Sequence, residues 1–149
     1  MAPDVMSHTG FLRHTVATLA YRGGKALLDV PAGFAQFCVA EATRTPGEVL
    51  AHIGDLLDWA VSLVKGAQVW HETPAREWDA DVARFVAGLQ ALDQSLATSG
   101  MPPGIAERLF QGPIADAFTH VGQIAMLRGM AGSPVRPENY FRAEIAHPD

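Results

Sequence analysis

Apolar residues in this chain recur at helical spacing in four long stretches, and hardly anywhere at strand spacing. Such a pattern gives each stretch one apolar face that must be buried against another helix. The first stretch runs from about Thr9 to about Leu28, with Leu12, Val16, Leu19 and Ala20 on one face, and Gly23-Gly24 weaken its second half. The second has the clearest start. Thr45 is the N-cap, Pro46 takes the first helical position, and Glu48 completes a Thr-x-x-Glu capping box. That helix is expected to reach about Lys65, with Gly66 ending it. The third opens at or just before Asp79 and carries Val82, Phe85, Val86, Leu89 and Leu92 to about Thr98. Ser99 to Gly104 is a break, rich in Pro and Gly. Ile105 to Phe110 reads as one short turn, and Gly112-Pro113 restart the chain as the fourth long helix, ending near Ala131-Gly132.

Two segments lie outside this pattern. Residues 30–44 read as a long crossing connection in which Phe34, Phe37 and Val39 tuck under the helices, with a short strand as the alternative. Ser133 to Asp149 reads as an irregular tail. The expected architecture is therefore all-α, a four-helix bundle with a long connection between its first two helices. A length of 149 residues favours one domain, 1–149, with a core that needs no staples.

Composition narrows the function. Hydrophobic residues are 48% and charged residues 18%, so the chain is expected to fold. A net charge of −5 without a Lys/Arg cluster argues against nucleic acid as a partner. The single cysteine, Cys38, excludes an internal disulfide and suits a reducing, cytoplasmic setting. With no activating neighbour in sequence, it is expected to be a buried or idle thiol. No leader pattern and no run of 18 apolar residues is visible, so neither a signal peptide nor a membrane span is expected.

The polar residues that stand out are Asp116, His120 and, far upstream, His52. Asp116 and His120 are four apart on one helix, which places their Cβ atoms about 5–6 Å apart on one face. A third ligand from another helix would make a metal site with open positions. His120 lies at the edge of the stripe Ile114, Ala117, Val121, Ile124 and Ala125, with Asp116 one step further round. His52 lies at the edge of the stripe Val49, Ile53, Leu57, Ala60 and Val64. Each has a plainer explanation. A lone margin histidine is more often satisfied or half-exposed than a ligand. Asp116 near a helix start can simply favour the helix dipole. Gly122 reads first as a close-packing position and Gln123 as a solvated polar residue, with support of His120 as the functional alternative. Glu48 is explained by its cap, and Asp55 and Asp58 are expected near the polar face. His8, His14, His71 and His147 have no spacing partner, and Trp59, Phe85 and Phe118 read as core. Asn139, Tyr140 and Arg142 are expected to fold over the mouth of a pocket at this margin of the core.

The stretches RTPGEVLAHIGDLLDW (44–59) and DAFTHVGQIAMLRGMAGSPV (116–135), with the helix order and the long first connection, resemble the DinB/YfiT-like superfamily of metal-dependent bundle proteins. That resemblance implies three ligands from the second and fourth helices, commonly three histidines with the last pair before Gly-Gln. Carried onto this chain they are His52, Asp116 and His120. Asp116 departs from the pattern, and leaves a two-His, one-carboxylate set suited to zinc or nickel first, and to iron or manganese as well. The resemblance further implies a small-molecule substrate, thiol-dependent transfer or isomerisation with a low-molecular-weight thiol, or hydrolysis, and a homodimer. The alternative is a non-enzymatic, metal-binding or stress-related dimeric bundle. A third class, a pure interaction protein, rests only on apolar helix faces.

Overall fold

The computed structural model describes residues 7–146, and among them there are helices and no strands. Helix α1 is His8–Leu27, α2 Pro46–Val64, α3 Trp78–Thr98, α4 the short Ile105–Leu109 and α5 Ala115–Met130. The capping box at α2 forms as the sequence dictates: Glu48 donates its amide to Thr45 Oγ1, and Thr45 donates its amide to Glu48 Oε1. Gly66, at φ 82°, turns the chain out of α2 in the left-handed conformation that glycine adopts without strain.

The chain does not restart at Gly112-Pro113. Residues Phe110–Ile114 form one π turn that joins α4 to α5, and the Ala115 amide donates back to the Phe110 carbonyl. Proline lacks an N–H and its ring crowds the carbonyl four residues earlier. The wider π turn accommodates both, so the helical path runs from Ile105 to Met130.

Helices α1 and α2 each pack against both α3 and α5, which puts α1 and α2 at opposite corners. The connection between them must cross the bundle, and residues 30–44 do so with a 3₁₀ turn at Phe34–Gln36 in place of a strand. Phe34 is buried there, with its ring edge-on to Trp78, whose indole N–H donates to the Leu27 carbonyl. Phe37 is half-buried, and Val39 remains exposed.

Helix α2 is the central element, buried on nearly every side from Val49 to Val64. Phe85, Leu89 and Leu92 of α3 fill the core as expected, but Val86 is exposed. Gly23 is required by packing, because a Cβ there would stand 2.5 Å from Phe85 Cζ. Arg128 of α5 is buried and donates to the carbonyls of Lys25, Ala26 and Leu28, so it satisfies the open end of α1. No helix among the described residues is long and apolar enough to cross a membrane.

Candidate metal centre

His52, one and a half turns into α2, and Asp116 and His120, on successive turns of α5, meet where these two helices pack. Asp116 Oδ2 lies 3.5 Å from His120 Nε2 and 3.8 Å from His52 Nε2. The imidazole rings stand perpendicular, 4.7 Å apart. One donor atom from each residue lies within 4.8 Å of the others, and this is the only such group among the described residues. Ligands about 2.0–2.2 Å from a tetrahedral ion stand about 3.3–3.6 Å apart, so the donor set fits a first-row divalent ion with small side-chain adjustments.

The surroundings favour ligation. Gln123 Oε1 is 2.8 Å from His120 Nδ1. An amide oxygen only accepts, so this contact suits the tautomer protonated at Nδ1, which leaves Nε2, the nitrogen on the Asp116 side, to ligate. The reading of Gln123 as a merely solvated residue gives way to its role as the partner that orients His120. Burial holds the His52 pKa below its ordinary value, and the positive charge of Arg44 adds to this, which favours the neutral ring, the form that ligates. Trp70 meets His52 edge-on at 5.8 Å and Trp59 at the same distance, forming an aromatic wall. Asp116 is not at a free helix start, because the π turn already occupies the Ala115 amide. The dipole explanation for it therefore weakens.

The α2–α3 loop reaches the site through a buried anchor. Asp55 is buried rather than on the polar face, where it accepts the Thr73 amide and pairs with Arg84 at 2.7 Å. Arg84 also pairs with the exposed Asp58 and donates to the Ala51 carbonyl. Gly54 makes this possible, because a Cβ there would stand 2.5 Å from Arg84 Nη1. Neither the Arg84 anchor nor Trp70 beside His52 was legible in the sequence, since both arrive from elements whose placement only tertiary packing decides.

Three hollows adjoin the site. One, of about 440 Å³, is lined by His120, Gln123 and mostly apolar side chains. A second, of about 390 Å³, holds His52, Asp116, Trp59 and Trp70. The third is polar, with His52, Arg44, Glu48 and Thr73 on its walls.

Other expectations resolve differently. The tail lies on α1 rather than over the site: Tyr140 sits edge-on to Tyr21, under the Arg22 guanidinium, while Glu138 pairs with Lys25. Asn139 accepts the Phe141 amide and belongs to the same turn. Cys38 is exposed rather than buried. Gly122 faces open space, so close packing does not explain it. Phe85 is core as expected, whereas Trp59 and Phe118 pack against the core partly buried. His147 lies outside the described residues.

No family model, curated protein or solved structure matches this chain.

Proposed function

We propose that this protein is a metal-dependent enzyme of the DinB/YfiT-like type, with a divalent ion held by His52, Asp116 and His120. The observation that carries the reading is the convergence of two imidazole nitrogens and a carboxylate oxygen within 4.8 Å, from helices far apart in sequence. Zinc or nickel suits this set first, and iron or manganese are the further options. Bound there, the ion supplies a Lewis acid that lowers the pKa of a water or thiol beside it. Gln123 keeps His120 in the ligating tautomer, and the indole edge of Trp70 shields His52 from solvent. The Asp116 side chain is 48% exposed, so the site has an open side, as catalytic sites do and closed structural sites do not.

The adjoining hollows have room for a small molecule. Transfer of a low-molecular-weight thiol, or hydrolysis of a small substrate, is the chemistry this arrangement supports. In the same reading the protein is a cytoplasmic homodimer. The exposed Cys38 thiol suits a reducing compartment, and exposed Phe11 and Phe110 offer a second copy an apolar face.

Elemental analysis of untagged protein purified without chelator tests this. Wild type should carry about one divalent ion per chain, and His52→Ala and His120→Ala very little, with helical content unchanged. Full metal content in either variant, or a wild type that takes up no zinc, nickel, iron or manganese, sinks the site. Full metal without turnover of any thiol or hydrolytic substrate would favour the non-enzymatic alternative.

A further inference from the structure

The apolar hollow beside His120 is built from the α1–α2 connection and α5, with Val49 of α2 at its base. The α1–α2 connection contributes Val39, Thr43 and Arg44, and α5 contributes Met126, Leu127 and Met130. Met126 and Met130 are exposed at 70% and 56%, unusual for long apolar side chains beside a charged site. Methionine walls adapt their shape to an apolar guest. The volume of about 440 Å³ and the sparse polar groups match the general character of small-ligand sites.

Arg44 is the polar residue that gives this hollow a direction. It lines both the apolar hollow that reaches His120 and the polar hollow that reaches His52, so it borders both sides of the histidine pair. Its guanidinium makes no hydrogen bond and no ion pair among the described residues. Glu48 and Glu72 share the polar hollow with it, and Glu48 is already committed to capping Thr45. The Arg44 charge acts on Glu48 and His52, but its forked donors are not taken up by a hydrogen bond, and such a fork is matched to a carboxylate.

We propose that Arg44 clamps the carboxylate of an amphiphilic substrate, whose apolar tail lies along the groove between Val39 and Met130. The carboxylate end is then beside the metal centre and the tail points away from it. The substrate class is an apolar carboxylate that reacts close to its acidic end. This proposal rests on the metal-centre reading for its chemistry, but its binding step is separately measurable.

Calorimetric titration with straight-chain carboxylates, from butanoate to octanoate, tests it on metal-loaded and on chelator-treated protein. In wild type, affinity should rise by up to about fourfold per methylene as the groove fills. Octan-1-ol should bind much more weakly than octanoate. Arg44→Gln should weaken octanoate about tenfold and leave metal content and helical signal unchanged. Met126→Glu should weaken octanoate and leave butanoate nearly unaffected. Equal octanoate affinity in wild type and Arg44→Gln overturns the clamp, and binding lost on metal removal but indifferent to Arg44 assigns the anion to the metal instead. No saturable binding in a wild type that dissociates into monomers upon Met126→Glu places a second copy in the groove, and overturns the proposal equally. Failure of the metal centre shows differently: octanoate binds through Arg44 while wild type holds no ion.

Discussion

Gln123 is the hydrogen-bond partner of His120 Nδ1, so its removal should act on the ion and hardly on the fold. Gln123→Ala is expected to lower metal affinity about 10–100-fold, with the thermal midpoint of the metal-free protein unchanged. Competition with a chromophoric chelator reads this directly, and unchanged affinity would assign the 2.8 Å contact no role. Asp55 makes a second prediction. Burial works to raise its pKa, but the Thr73 amide and the Arg84 guanidinium outweigh burial and hold the carboxyl below its ordinary value. A carboxyl depressed in the folded state adds stability that is complete above its unfolded pKa, about 4, and fades as pH falls through the folded value. The stability gap between wild type and Asp55→Asn should therefore be widest at neutral pH and close below about pH 4. Urea melts at several pH values measure it, and a gap independent of pH would count against an ionised Asp55. The Asp116–His120 pair was legible in the sequence because i, i+4 spacing fixes it locally. Asp55 was misplaced because its partner, Arg84, lies on another helix, and no local pattern announces it.

Within α1, two adjacent glycines carry opposite expectations. Alanine gains about 1 kcal/mol over glycine in a helix interior. At Gly24 an added Cβ meets nothing within 4 Å, so Gly24→Ala should stabilise by about 0.5–1 kcal/mol. At Gly23 the same Cβ would stand 2.5 Å from the buried Phe85 ring, and overpacking of this kind costs about 1–3 kcal/mol. Gly23→Ala should therefore destabilise by about 1 kcal/mol after the propensity gain is subtracted. Denaturant melts of both variants check the sign, and two stabilised proteins would mean that Phe85 has room to move. The helix starts were readable wherever chemistry is local, as at Thr45-Pro46-Gly47-Glu48, whose reciprocal cap forms as expected. The join at Gly112-Pro113 was not. The same dipeptide can break a helix or widen one turn, and packing of Leu109 and Ile114 into the core selects the second.

Across the whole molecule, the proposed ion links α2 to α5, neighbours that already pack together and give Val49, Ile53, Val121 and Ile124 to the buried core. The core therefore does not depend on the ion, unlike small zinc modules that unfold without metal. The diagonal placement of α1 and α2 follows from the long connection, which the sequence made visible through residues 30–44, although the aromatic wall of Trp59 and Trp70 was not. An ion bound only to the folded state still stabilises by mass action, about 2.7 kcal/mol when present at about a hundred times its Kd. For a chain of this length that corresponds to about 5–10 °C in Tm. Chelation should thus lower the Tm of wild type by that amount without loss of helical signal at 25 °C. His52→Ala should melt at the same temperature with and without chelator, because it has no third ligand. Calorimetric scans of the four samples separate the cases. Unfolding of wild type on chelation at 25 °C would make the ion a structural staple, whereas an equal shift in His52→Ala would place the metal somewhere other than between α2 and α5.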